Sequence, residues 1–68
     1  MSYTLPVAKF SLGRRVVFKQ KDDQPRWGTV EAFNWEESRQ EYSYVIARAD
    51  GGVVRLLESQ LTSFDRLN

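Results

Sequence analysis

The sequence predicts an all-β fold: a small barrel of four to five strongly bent antiparallel strands with one 3-10 turn. Three observations predict it. Short runs rich in β-branched and aromatic residues recur between polar or glycine-containing breaks. No segment shows an apolar stripe of helical period, which disfavours the competing design, an open three-stranded sheet with one helix. A chain of 68 residues has little surface to spare for bare sheet edges, and closure removes them.

Residues 1–9 read as an arm, because Met1 to Pro6 has no sustained period and Pro6 biases Leu5 toward an extended shape. Residues 10–68 form the barrel domain. Phe10-Ser11-Leu12-Gly13 is an entry turn with Gly13 free to take positive φ. Arg15 to Gln20 is the first strand, with Val16 and Phe18 facing the core. Lys21 to Pro25 is a polar loop. Trp27 to Phe33 is the second strand. Val30 and Ala32 share one face and Thr29, Glu31 and Phe33 the other, so a bulge or bend is expected near Gly28 or Asn34.

Glu36 to Glu41 is a charged loop. Tyr42 to Ala47 is the third strand, with Tyr42, Tyr44 and Ile46 on one face. Asp50-Gly51 is the hairpin signal, read as a turn in which both residues take positive φ. Val53 to Leu57 is the fourth strand, and Glu58 to Leu61 fits one 3-10 turn with Leu61 plugging the barrel end. Thr62 to Asp65 is a short closing strand.

Composition excludes whole classes of chemistry. The chain has no Cys and no His. It therefore has no disulfide, thiol nucleophile, zinc finger or imidazole base. The adjacent acids Asp22-Asp23 and Glu36-Glu37 read as solvated loop charges, and Gly51-Gly52 lacks the flanking residues of a phosphate loop. No enzyme, metal or cofactor is expected. No apolar run approaches the roughly 18 residues of a membrane span, and Met1 to Leu12 does not read as a signal peptide, so a cytoplasmic location without a membrane partner is expected.

The net charge of +1 hides a segregation. Residues 9–26 carry six cations and two anions, whereas residues 31–41 carry four anions and one cation. Nine aromatic residues occur in a barrel with room for about four large rings in its core, so some must line a surface. In the preferred reading, Trp27, Phe33, Trp35, Glu36, Glu37 and Tyr42 form a site for a protein partner, with ring faces attracting a cation and carboxylates strengthening the attraction. In the second, Arg14, Arg15, Lys19, Lys21 and Arg26 hold a nucleic-acid backbone while Phe18 or Trp27 stacks on a base. Val17, Val45 and Val54, on the second face of their strands, would give an apolar outer stripe and a homo-oligomer.

The order Gly13-Arg14-Arg15-Val16, Trp27-Gly28-Thr29-Val30, Tyr44-Val45-Ile46, tight hairpin and Leu61 resembles SH3-like barrels of the Tudor and KOW type over residues 10–65. That resemblance implies an SH3-like barrel and a binding module, although fold alone does not assign function. A partial resemblance also exists to the plasmid-borne type II dihydrofolate reductases, SH3-like barrels that assemble as tetramers around a pore. It rests on Gly28-Thr29-Val30 with Phe33 and on the ending Asp65-Arg66-Leu67-Asn68. The family's Val-Gln-Ile-Tyr stretch falls on Val54-Arg55-Leu56-Leu57, where only the Val is kept, and one of its paired lysines is lost near Phe18-Lys19. The resemblance implies a shared scaffold and argues against shared activity. A pore-type reductase is the third reading.

Overall fold

The computed structural model describes residues 4–19 and 24–64. Five antiparallel strands form one sheet: β1 (Arg15–Lys19), β2 (Pro25–Glu36), β3 (Glu41–Arg48), β4 (Val53–Leu57) and β5 (Thr62–Ser63). A 3-10 turn, Glu58–Gln60, leads from β4 to β5. The order β4-β3-β2-β1-β5 leaves β4 and β5 as the two edges, so the barrel is loose and not closed by hydrogen bonds. Among the described residues no helix is long and apolar enough to cross a membrane.

The inner face follows the expected alternation in β1 and β3. Val16, Phe18, Tyr44 and Ile46 are all at most 2% exposed. Phe10 and Leu61 complete this core, Leu61 lying just beyond the 3-10 turn as expected of a plug. The entry turn is tied to β2 by Gly13 N–H to Val30 O (2.8 Å) and Val30 N–H to Arg14 O (2.9 Å), with Gly13 at φ 85°. Val17 faces outward yet is buried, because the register sets it between Trp27 and Thr62. Gln20 to Asp23, the end of the predicted first strand and the start of the polar loop, lie outside the described residues.

In β2 the sequence expectation needs two corrections. The strand begins at Pro25, a position a proline tolerates because it opens the strand. The bulge falls between the two expected places: Val30 pairs with Ile46 and Ala32 with Val45, so Glu31 is the extra residue. One extra residue inverts the alternation. Val30 and Phe33 therefore share the inner face, and Ala32 turns outward and is exposed. Gly28 has a different role. A Cβ there would sit 2.5 Å from Ile46 Cγ2 and 2.6 Å from the Ala47 carbonyl, so the strands approach only because that side chain is missing.

The β3–β4 hairpin also differs from expectation. Gly51 takes φ 101°, but Gln40 is the only described non-glycine residue with positive φ, so Asp50 does not share the left-handed region. Arg48 N–H donates to Gly52 O (2.7 Å) and Gly51 N–H to Arg48 O (3.0 Å). That is a three-residue loop, a turn followed by one left-handed glycine. Its length sets the phase of β4. Val54 pairs with Ile46 and packs on the core, whereas Val53 faces out at 64% exposure. Val54 thus does not belong to an outer stripe; Val45 does, with Val53 beside it in place of Val54.

Candidate functional sites

The structure divides the six residues expected to bind a protein partner. Phe33, Trp35 and Tyr42 come together where β2 meets β3 at the hairpin end. Trp35 pairs with Tyr42 and Phe33 with Tyr44 across the strands. The Tyr42 ring lies 5.5 Å from Phe33 and 5.1 Å from Trp35, both nearly edge to face. The chain of rings continues inward, Phe33 to Tyr44 at 5.9 Å and Tyr44 to Phe10 at 5.5 Å. Phe33 remains 40% exposed, Trp35 is half-buried, and Tyr42 is buried. The ladder thus opens to solvent at one end and is rooted in the core at the other.

Carboxylates gather at this hairpin end, Glu37 against the ladder and Glu36 and Glu41 on the opposite face of the strands. Trp35 Nε1–H donates to Glu37 Oε2 at 2.8 Å, which fixes the indole. Ser43 Oγ–H donates to Glu36 Oε2 at 2.8 Å. Glu41 Oε1 accepts the Ser59 N–H at 3.1 Å. Glu36 and Glu41 stand directly opposite each other in the register, a like-charge pair that costs stability. Glu36, Glu37 and Glu41 form no salt bridge among the described residues. Between β2 and β3 the turn closes with Arg39 N–H to Glu36 O, Gln40 N–H to Glu37 O, and Gln40 at φ 54°.

The arm crosses this region. Tyr42 Oη–H donates to Pro6 O (2.8 Å), and Phe10 N–H donates to Tyr44 Oη (3.3 Å). Glu58 gathers the other contacts: its Oε2 accepts from Lys9 N–H at 3.0 Å and from Tyr44 Oη–H at 2.5 Å. Burial, and next the hydrogen bond to the Glu58 carboxylate, push the Tyr44 phenol up to about 12. Sequence reasoning did not single out Glu58. Its role depends on the 3-10 turn packing against β3, a long-range contact with no local signature.

Trp27, the sixth residue, sits elsewhere. It lies on the outer face opposite Val17, and its ring meets Phe64 at 5.8 Å. The two rings are 41% and 39% exposed. The Arg15 guanidinium lies 5.4 Å from the Trp27 centroid. Of the expected nucleic-acid contacts, Arg14, Arg15 and Lys19 are exposed and Arg26 half-buried, and Lys21 lies outside the described residues. Arg14 Nη2 donates to Ser63 Oγ at 2.8 Å. Phe18, offered as a stacking ring, is 2% exposed and locked in the core, which leaves Trp27 in that role. Phe64 joins it only because β5 pairs with β1.

Compared with known proteins, the sequence matches no family model, no curated protein and no solved structure. Among the described residues no group of three or more His, Cys, Asp or Glu is placed to hold a metal ion. In β4, where the reductase resemblance placed its ligand-binding stretch, Val54 and Leu56 pack on the core and Arg55 is exposed.

Proposed function

We propose that the chain is a small SH3-like binding module without catalytic activity. Its partner is a protein segment that presents Lys or Arg beside apolar side chains. The observation that carries this reading is the open ladder of Phe33, Tyr42 and Trp35 with the Glu37 carboxylate held on its indole and in no salt bridge among the described residues. Ring faces attract ammonium and guanidinium groups, and adjacent carboxylates add to the attraction. The indole held by Glu37 is preorganised, which lowers the ordering cost of binding.

The test is a peptide panel followed by NMR. Lys- or Arg-bearing apolar peptides should shift the Trp35 indole and Phe33 resonances, and acidic peptides should not. Phe33→Ala should weaken the best peptide at least tenfold, and Glu37→Gln about threefold to tenfold, with the fold retained by circular dichroism. Equal binding of acidic peptides, or shifts confined to the outer face, would remove this reading.

A further inference from the structure

We propose that the outer face around Trp27, Phe64 and Arg15 is a second binding site, and that its ligand is single-stranded nucleic acid. This does not rest on the protein-partner site, which uses other residues on the inner side of the sheet.

The argument starts from two large rings left on the outside. Trp27 and Phe64 are 41% and 39% exposed and touch each other edge on. Rings held this way offer flat faces to a second flat group, and every nucleobase has one. The Arg15 guanidinium stands 5.4 Å from the indole and makes no ion pair among the described residues. Beside it a 240 Å³ cleft is bounded by Gly13, Arg14, Arg15 and Phe64.

The register sets what surrounds this patch on the outer face. One outer-face row runs Arg15, Thr29, Ala47, Val53, and the next runs Ala32, Val45, Arg55. The exposed bulge residue Glu31 stands between the two rows on the same face. Arg15 on β1 and Arg55 on β4 are about 14 Å apart across the sheet, three strand spacings. Arg55 also forms no ion pair among the described residues. Aromatic faces beside the Arg15 guanidinium suit a polyanion with exposed bases. A duplex hides its base faces, so it fits the rings poorly.

The experiment is fluorescence anisotropy of the full chain with labelled 12-nucleotide oligothymidine and oligouridine from 0.025 to 0.2 M salt. Binding should weaken with salt at a slope of about −0.7 for each phosphate held. Arg15→Gln should lower the magnitude of that slope by about 0.7, and Trp27→Ala should weaken binding roughly fivefold to 150-fold. Phe64→Ser serves as the second variant should Trp27→Ala not fold. Glu37→Gln should leave oligonucleotide binding unchanged. The proposal is overturned by no binding at 0.025 M salt, by equal binding of duplex or of oligoglutamate, by a ring variant that binds as the parent does, or by sedimentation showing a dimer that shields Trp27 from quenchers.

Discussion

The two exposed aromatic regions use the same parts, an indole and a phenyl ring beside charged groups, yet they are wired oppositely. At the β2–β3 end, Phe33 and Trp35 are the outer members of a ring chain that reaches Tyr44, a residue with no solvent exposure. On the outer face, the ring contacts of Trp27 are to Phe64 and Arg15, at the surface. One region is an extension of the core and has the Glu37 carboxylate held on its indole. The other is laid over a finished sheet and has the Arg15 guanidinium beside its indole. The lesson is that an exposed ring is a stability element or a binding element according to what lies behind it.

The sharpest way to break the comparison is to truncate one ring on each side. Tyr44→Ala removes the link between the ladder and the core, and a buried aromatic truncation costs about 3–5 kcal/mol. A domain of this size has only a few kcal/mol of stability. We expect the variant to be largely unfolded at 25 °C by circular dichroism and urea titration. Trp27→Ala should cost no more than about 1 kcal/mol and keep a cooperative transition. Comparable losses for the two variants would show that the outer rings also support the fold.

A second prediction sharpens the role of Tyr44. Its phenol ionises near 10 in the unfolded chain and at about 12 in the folded one. Below pH 10 both states keep the proton and the stabilisation is fully present. Above pH 10 the unfolded chain loses its proton first, so stability falls as pH rises and is lost by about pH 12. The loss attributable to Tyr44 is of order 2–3 kcal/mol. Urea midpoints between pH 9 and pH 12 should show this decline, and Tyr44→Phe should flatten it. Glu58→Gln should reduce it in part, because burial acts first and the carboxylate second.

Most of the fold was legible because alternation is a local signal. Val16 with Phe18, and Tyr42 with Tyr44 and Ile46, could be assigned to one face from spacing alone. The second strand was not legible in the same way. A bulge at Glu31 leaves no mark in composition, and it decides whether Ala32 or Phe33 faces the core. The hairpin was placed correctly, but its loop has three residues, and that length moved Val54 inward. The sites were legible as an aromatic surplus and a charge split. Their grouping was not, because the Trp27–Phe64 contact requires the pairing of β5 with β1, and the Glu58 anchor requires the 3-10 turn to meet β3.

The smallest expected effect tests whether the acidic hairpin end is kept at a cost. Glu36 and Glu41 face each other across β2 and β3, where like charges oppose pairing. Glu41→Gln removes one charge and keeps a side-chain carbonyl able to accept the Ser59 N–H. Relief of the repulsion should stabilise the fold by about 0.3 kcal/mol, which raises the melting midpoint by roughly 1–3 °C. The same variant should bind basic peptides more weakly if the acidic hairpin end attracts them at long range, since it loses one of its carboxylates. A repulsion that serves no ligand gains nothing from persisting at a hairpin end, where a neutral residue would pair better. Higher stability with weaker peptide binding would tie the strain to that site. Higher stability with unchanged peptide binding would leave the Glu36 and Glu41 pair without a role in recognition and shift the weight to the outer face.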